Sequence, residues 1–458
     1  MPDMMPPDEI RTLFSRAMSA MYRAEVPAYG ALIDLVHEVN EGVLDADPAE
    51  RTRLAEIDEL DRIGEERHGA IRLGTAAELA VMRRLFAVMG MYPVGYYDLS
   101  VAGVPVHSTA FRPLDDAALA RNPFRVFTSL LRLDLLEDDA LRETARAVLE
   151  ARRIYTPRCL ELIAEAEARG GLTRAPAEEF VAEALETFRW HANANVDHGL
   201  YEQLHDAHRL VADVVAFWGP HINHLTPRTL DIDRVQAMMP ARQITPKAVI
   251  EGPPARKVPI LLRQTSFKAL EEPVRFAGET GAVDGTHTAR FGEIEQRGIA
   301  LTPKGQALYD RLLAETRAQV TPRADGSNAA DYMTCLAETF TAFPDTLDEI
   351  REAGLGYFRY TPARQRPADV DPAASAEALI AAGALRADPI VYEDFLPVSA
   401  AGIFQSNLGD RAESRFAANP GRARFEADLG CPVIDLHQRY AEVESASLAR
   451  ARAALANA

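Results

Sequence analysis

Residues 67–90 read RHGAIRLGTAAELAVMRRLFAVMG, a short extended segment followed at once by a helix. The first part, RHGAIRLG, interrupts the helical spacing of the residues before it and predicts a strand. Thr75 and Glu78 form a capping box, which predicts the start of a helix, and Gly90 predicts its end. A strand near residue 67 therefore leads into a helix that stops near residue 90.

Three extended segments follow this helix, with a turn at Ala102 and Gly103 between the first two. They are YYDLSVAG (96–103), VPVHSTAFRPL (104–114) and FRVFTSLLRLDLL (124–136). The predicted order in this part of the chain is therefore one strand, one helix and then about three strands.

A second series of the same kind begins at HINHLTPRTLDID (221–233). A short helix is predicted over Ile232 to Met239, followed by two strand candidates, VPILLRQTSFKALEEPVRF (258–276) and THTARFGEIEQRGIAL (286–301). Both series open with His-x-x-x-Arg, at 68–72 and 224–228. This repeat is compatible equally with a structural duplication and with a chance match, because the shared pattern is so short.

Helical segments surround the two strand series, because apolar residues three and four apart recur there. The predicted fold class is therefore α+β, and we expect a single elaborated domain over residues 1–458. Its parts are N-terminal helices (8–60), a first β-rich module (61–136), a helical insertion (137–218), a second β-rich module (219–302), and C-terminal helices with a loop (303–458).

The composition is that of a globular protein with an acidic surface. Apolar residues make up 47% and charged residues 26% of 458, which excludes a collagenous or wholly disordered chain. Lys and Arg number 50 against 68 Asp and Glu, for a formal net charge of −18. Polyanions are repelled by such a surface, so we expect neither nucleic acid nor membrane as a partner. An anionic substrate would need Arg or Lys close to its binding site.

The cysteines and the N-terminus predict a soluble cytoplasmic protein. Cys159, Cys335 and Cys431 lie far apart in the sequence, which disfavours a disulfide framework or a thiolate zinc site. The first residues lack the basic and apolar regions of a secretory signal. No stretch approaches the roughly 18 apolar residues that a bilayer crossing requires.

Histidine and carboxylate side chains are the main candidates for chemistry, because the sequence lacks HExxH, GxGxxG, GxxxxGK[ST] and GxSxG motifs. In RFGEIEQRG (290–298), Glu293 and Glu295 would share one face of a strand. Two such carboxylates repel each other unless solvent, a cation or a metal neutralises them. An exposed strand face with alternating charges is the simpler alternative.

His68 and Arg72 are four residues apart, so on a strand their side chains could enter one cavity. A surface histidine beside a solvated arginine is the alternative.

A second metal hypothesis uses Glu65-x-x-His68 and Glu202-x-x-His205, the helical pairs of ferritin-like di-iron bundles. Such bundles need further inward glutamates, which nothing in the sequence marks, and they leave no place for the strand-rich middle.

Two long motifs connect the chain with a known family. HINHLTPR (221–228) and RFGEIEQRG (290–298) resemble the 2-oxoadipate dioxygenase/decarboxylase family, also called D-2-hydroxyglutarate synthases. ERHGAIRLGT (66–75) and GIALTPKGQALYDRLLAE (298–315) strengthen the resemblance, which extends over about residues 8–445. It implies a vicinal-oxygen-chelate-like fold, in which two βαβββ modules form a cupped mixed sheet, here with extensive helical additions.

The resemblance also implies an Fe(II) centre. Carried over by motif, its ligands would be His68, His224 and Glu293, and the choice of Glu293 over Glu295 rests on the family alone. Two histidines and one carboxylate leave open positions on an octahedral iron. A 2-oxo acid can chelate the metal through its keto and carboxylate oxygens and leave a position for O2.

The implied reaction converts 2-oxoadipate and O2 to D-2-hydroxyglutarate and CO2, a step of lysine catabolism. Arg72 is the best candidate for holding a substrate carboxylate, since a guanidinium can donate two parallel hydrogen bonds. Arg263 is a weaker candidate, and it could equally be a surface charge. The family also implies that Val398 and Ser399 lie near the substrate.

Two other classes of function remain open on the sequence. One is a metal-dependent isomerase or lyase of the same fold, acting on a small organic acid without O2, because one fold serves several chemistries. The other is a non-catalytic protein that binds an organic acid and contains a structural metal.

Overall fold

The computed structural model describes residues 4–278, 283–288, 290–323, 326–364, 367, 370–396 and 421–457. They form two compact units. The larger unit holds the described residues of 1–247, 265–295 and 397–433, and the smaller unit holds those of 248–264, 296–396 and 434–458. The predicted single domain and its inner boundaries stay predictions.

The helices of the described residues are α1 Pro7–Glu25, α2 Pro27–Ala46, α3 Pro48–Glu56, α4 Leu60–Glu65, α5 Ala76–Val88, α6 Asp116–Arg121, α7 Asp139–Ala151, α8 Pro157–Arg169, α9 Arg174–Glu186, α10 His198–Ala207, α11 Arg209–Val215, α12 Ile232–Met238, α13 Pro303–Gln319, α14 Ala329–Thr339, α15 Leu347–Glu352, α16 Ala376–Ala381, α17 Arg422–Leu429 and α18 Leu436–Ala456. The strands are β1 Arg67–Leu73, β2 Tyr92–Asp98, β3 Val106–Arg112, β4 Arg125–Leu131, β5 Asn193–Asp197, β6 His224–Pro227, β7 Leu262–Ser266, β8 Glu271–Ala277, β9 Val283–Thr288, β10 Phe291–Arg297, β11 Phe358–Pro362 and β12 Leu385–Pro389.

The first β-rich module has the order β1-α5-β2-β3-β4, which is the βαβββ order that the resemblance implies. The hydroxyl of Thr75 accepts from the amide of Glu78, and the Glu78 carboxylate accepts from the amide of Thr75, so the predicted capping box is present. Gly90 follows the helix with a φ of +66°, a conformation that favours glycine. The strand–helix start of the fold is confirmed.

The central sheet has seven strands in the order β2-β3-β4-β1-β6-β10-β7. Strand β1 runs parallel to β4 and antiparallel to β6, and β6 runs parallel to β10. The two β-rich modules therefore meet where β1 lies beside β6. The predicted α+β fold, with one curled mixed sheet and many added helices, is confirmed.

The second module differs in detail from the sequence prediction, because each of its two long strand candidates is two strands. Strands β8 and β9 leave the central sheet and pair with β5 in a separate three-stranded sheet. The burial of β7 and β8 differs in keeping with this division. Strand β7 is buried at all five positions, whereas β8 alternates between exposed and buried residues. Such alternation is typical of an antiparallel sheet with one face in water.

The segment 137–218, predicted to be helical, also contains a strand, β5, which begins at Asn193. The extended segment predicted over 96–103 is also shorter than expected. Its second half, Leu99–Ala102, is a 3-10 turn, because the Asp98 side chain accepts a hydrogen bond from the amide of Ser100. The predicted helix after His224 is confirmed as α12.

Aromatic packing joins the first helix to the rest of the larger unit. The ring of Phe14 on α1 meets Phe124 and Phe188 edge to face, at centroid distances of 5.9 and 5.3 Å. All three rings are fully buried, and each such burial contributes roughly 1.5–3 kcal/mol. Among the residues that the structure describes, no helix is both long and apolar enough to span a bilayer.

Candidate metal centre

Three side chains from three neighbouring strands come together in the larger unit. His68 lies on β1, His224 begins β6, and Glu293 lies on β10. One ligand atom from each lies within 4.8 Å of the other two, and all three residues are fully buried. The strand order β1-β6-β10 explains the convergence, since each side chain comes from an adjacent strand of one sheet.

The contacts inside this group centre on Oε1 of Glu293. This oxygen lies 3.0 Å from Nε2 of His68 and 3.8 Å from Nε2 of His224. The hydroxyl of Thr226 donates to the same oxygen at 3.2 Å. The two imidazole rings are nearly perpendicular, with centroids 5.5 Å apart. Both Nε2 atoms therefore face the same carboxylate oxygen.

Tyr22 on α1 fixes the starts of β6 and β10, the strands that carry His224 and Glu293. The hydroxyl of Tyr22 on α1 contacts two main-chain carbonyls, those of Asn223 at 2.9 Å and Phe291 at 2.7 Å. Asn223 directly precedes His224, and Phe291 lies two positions before Glu293. A single buried phenol thus links the backbones that carry two members of the group.

Burial and neighbouring charges set the protonation of the three groups. Burial lowers the pKa of His224 well below 6.5, and the charges of His68 and Arg72 add to this effect. Burial also disfavours a charged His68, but Glu295 and Glu293 outweigh it, so the pKa of His68 is raised. The pKa of Glu293 is raised by burial, against the hydrogen bond from His68. His224 is therefore a neutral imidazole.

The donor set fits a divalent metal ion. Both ring nitrogens of His224 are buried and make no hydrogen bond, which is costly for polar atoms in a protein interior. A neutral imidazole is a common metal ligand, and coordination would satisfy one of these nitrogens. Two histidines with one carboxylate form the ligand set of non-haem Fe(II) oxygenases.

Glu295 lies on the other side of the His68 ring. Its Oε2 is 3.0 Å from Nδ1 of His68, whereas Glu293 faces Nε2. Metal-binding histidines usually bond a carboxylate, carbonyl or water through the nitrogen that does not face the metal. The geometry therefore separates the two glutamates that share one strand face, with Glu293 in the three-residue group and Glu295 behind His68.

Arg72 lies on β1, four residues after His68, and is nearly buried. Its Nη1 donates to Oδ2 of Asp213 at 2.7 Å. The charge of Arg72, after burial and the charge of His68, helps to lower the pKa of His224. Asp213 was missed by sequence reasoning, although it is the lone charge in the apolar run LVADVVAFW (210–218).

The remaining predicted substrate contacts are Arg263 and the pair Val398 and Ser399. In the smaller unit, Nε of Arg263 donates to the main-chain oxygen of Pro253 at 3.1 Å. Val398 and Ser399 lie outside the described residues. Nε2 of His221 lies 3.4 Å from Oδ1 of Asp213.

The di-iron bundle hypothesis is wrong. His68 lies on a strand, not a helix, and Glu65 forms an ion pair with Arg16 at 3.0 Å, away from the buried group. Glu202 is largely exposed on α10, where its carboxylate lies 3.7 Å from Nδ1 of His198. These glutamates therefore do not enter a shared bundle interior.

Known proteins resemble this chain along nearly its whole length. The family model for 2-oxoadipate dioxygenase/decarboxylase matches residues 14–407. The 2-oxoadipate dioxygenase/decarboxylase of Escherichia coli (strain K12) is 59% identical over 446 residues, which are 97% of this chain and 98% of that protein. The protein of the same name from Pseudomonas putida is 57% identical over 449 residues, 97% of each chain.

A solved structure agrees with these relatives. The crystal structure of the hydroxyglutarate synthase from Pseudomonas putida in complex with 2-oxoadipate superposes with a TM-score of 0.91 at 55% identity, covering 99% of this chain and 100% of that one. Sequence and fold thus match over the same extent. The chain belongs to the 2-oxoadipate dioxygenase/decarboxylase family.

Proposed function

We propose that this protein is an Fe(II)-dependent dioxygenase/decarboxylase that converts 2-oxoadipate and O2 to D-2-hydroxyglutarate and CO2. The observation that carries the proposal is the buried group of His68, His224 and Glu293. The reaction balances without another reductant, because one oxygen atom of O2 enters the new carboxylate and the other becomes the new hydroxyl. The names of the relatives and of the solved complex support the choice of substrate.

His68, His224 and Glu293 would hold the metal. When bound, iron(II) supplies the Lewis acidity and the O2 chemistry that no side chain of the group provides. The hydroxyl of Thr226 restrains one Glu293 oxygen, and full burial excludes bulk water from the ligand atoms. Buried polar groups of this kind form a preorganised environment, since they need little rearrangement during reaction.

Arg72 would hold a carboxylate of the substrate. A 2-oxo dicarboxylate carries two negative charges, and the chain has a formal net charge of −18, so a local fixed cation is required. A guanidinium on the same strand as His68 can meet a ligand bound at the metal. Val398, Ser399 and Arg263 remain predicted substrate contacts.

Reconstitution tests this function directly. Protein loaded anaerobically with Fe(II) and 2-oxoadipate should be inert until O2 is admitted, and then release one CO2 for each D-2-hydroxyglutarate formed. Mass spectrometry, chiral chromatography and O2 uptake measure the products and the stoichiometry. Turnover that continues without O2 would support an isomerase or lyase instead, and binding without any product would support a non-catalytic protein.

The metal and the cellular location are further parts of the proposal. Affinity order alone does not select iron at a site with two histidines and a carboxylate, so loading with Mn(II), Co(II), Ni(II) and Zn(II) is the matched comparison. We infer a cytoplasmic location, which the three free cysteines support, since thiols persist in a reducing compartment.

A further inference from the structure

Asp213 on α11 is a buried carboxylate shared by three cationic or polar side chains. Nη1 of Arg72 lies 2.7 Å from its Oδ2, and Nε2 of His287 lies 2.9 Å from its Oδ1. Nε2 of His221 approaches the same Oδ1 at 3.4 Å. All of these residues belong to the larger unit, so one carboxylate joins β1, β9 and the segment before β6.

His287 is itself held in one orientation. Its Nδ1 lies 2.9 Å from the hydroxyl of Tyr201 on α10, and its Nε2 faces Asp213. A carboxylate accepts and does not donate, so Nε2 of His287 carries a proton and donates to Asp213. Phe217 packs on the imidazole at a centroid distance of 4.8 Å, and Trp190 stacks parallel to it at 6.3 Å. The ring therefore has little freedom to turn.

Asp213 remains charged in this environment. Burial alone would raise its pKa, but His221 and Arg72 outweigh burial and hold the pKa well below 3.8. A charged carboxylate accepts strong hydrogen bonds from a guanidinium. Because a guanidinium is planar with its donors in a rigid fork, a fixed Nη1 restricts the direction of the whole group.

We propose that Asp213, held by His287, is a positioning residue that fixes the guanidinium of Arg72 in the orientation that receives a substrate carboxylate. This inference rests on the proposed function. It makes a counter-intuitive prediction, because removing the negative charge of Asp213 leaves more positive charge for an anionic substrate. If orientation matters more than net charge, binding of 2-oxoadipate must weaken when this negative charge is lost.

A double-mutant cycle with Asp213→Asn and Arg72→Gln tests the proposal. Two binding readouts are used: KM for 2-oxoadipate in the iron-loaded enzyme, and Kd by calorimetry on Zn(II)-loaded protein without O2. A charge-assisted hydrogen bond is worth about a factor of ten or more, so we expect Asp213→Asn to raise both constants about tenfold and Arg72→Gln about 100-fold. In the Arg72→Gln background, Asp213→Asn should change them less than about twofold.

Matched variants separate positioning from a loss of stability. Glu78→Gln removes another buried carboxylate paired with an arginine, Arg152 at 2.6 Å, and should lower Tm without changing KM. His287→Gln keeps a donor towards Asp213 and should retain most binding, whereas His287→Leu should weaken it about as much as Asp213→Asn. If Asp213→Asn does not fold, the two His287 variants test the positioning role of Asp213 in its place.

The outcomes that overturn the inference are distinct. An unchanged or lower KM in Asp213→Asn would mean that the carboxylate orients nothing. An equal effect of Asp213→Asn with and without Arg72 would mean that it acts through the fold. If Arg72→Gln alone leaves KM and Kd unchanged, the role of Arg72 in the proposed function fails, and the positioning role of Asp213 fails with it.

Discussion

Nδ1 of His68 lies 3.0 Å from Oε2 of Glu295, so the ring nitrogen that points away from Glu293 has a carboxylate of its own. Both glutamates come from β10, two positions apart, and both reach the same imidazole from opposite sides. A carboxylate at this nitrogen fixes the tautomer and the orientation of a metal-binding histidine. Two chemically identical side chains therefore have different expected roles.

The two glutamates should differ when each is replaced by glutamine. Glu293→Gln should lose iron binding and turnover, because it removes a ligand, whereas Glu295→Gln should keep the ligand set and weaken iron binding about 10–100-fold. Metal titration with spectroscopic detection measures both affinities. An equal loss of iron affinity in the two variants, or a stronger loss in Glu295→Gln, would contradict the assignment of Glu293 as the ligand.

Metal binding should stabilise the fold through His224. Both ring nitrogens of His224 are buried without a hydrogen bond from the protein, so His224→Leu should not lower the free energy of unfolding of the metal-free form. Metal at 1,000 times its Kd should stabilise the wild type by about 4 kcal/mol and leave His224→Leu unchanged. Thermal unfolding with and without metal measures both. A metal-dependent rise in the Tm of the variant would exclude His224 as a ligand.

Tyr22 should matter for stability and for the metal. Its buried hydroxyl contacts the main-chain oxygens of Asn223 and Phe291, and Tyr22→Phe would leave both carbonyls without this donor. We expect a loss of about 1–3 kcal/mol in the free energy of unfolding and weaker metal binding. Ser19→Ala, one turn away on the same helix, is the matched control. An unchanged metal affinity in Tyr22→Phe would show that the two strands hold their ligands without it.

His107 should make the fold sensitive to acid. Burial, with the nearby charge of Arg132, lowers the pKa of His107 from 6.5 to about 4 in the folded chain. Between these pH values the unfolded chain binds a proton that the folded chain lacks, so stability rises with pH. The stability that the fold gains from keeping His107 uncharged is complete above pH 6.5 and is lost as the pH falls towards 4.

Chemical denaturation at pH 4 to 7 measures this dependence. The wild type should lose about 1–3 kcal/mol more than His107→Gln over that range. His191→Gln, at an exposed histidine, is the control and should follow the wild type. An identical pH dependence of His107→Gln and wild type would contradict the prediction.

Local signals made the start of the fold predictable. The capping box of Thr75 and Glu78 depends only on neighbouring residues, and the alternation on β10 places Glu293 and Glu295 on one face whatever the rest of the chain does. The split of the second module was not predictable from periodicity, because the joining segments Phe-Lys-Ala-Leu (267–270) and Ala-Arg (289–290) contain neither Gly nor Pro, the residues that most often mark a break between strands. The family resemblance supplied the metal hypothesis that periodicity could not.

Contacts between side chains that are far apart in the sequence could not be predicted from sequence patterns either. Asp213 is 141 positions from Arg72, and its role depends on how α11 packs beside β1. A lone aspartate in an apolar helix predicts a buried partner but not which one. His287 likewise has no motif, and only the pairing of β8 with β9 brings it to Asp213.

The central claim is that His68, His224 and Glu293 hold one metal ion that a 2-oxo acid can chelate. A crystal structure of the iron-loaded protein, grown without O2 and with 2-oxoadipate, tests it most directly. The account predicts one metal about 2.0–2.2 Å from a nitrogen of each histidine and an oxygen of Glu293, with Glu295 on Nδ1 of His68 and a substrate carboxylate on Arg72. A metal bound elsewhere, or ligated by Glu295 in place of Glu293, would contradict it.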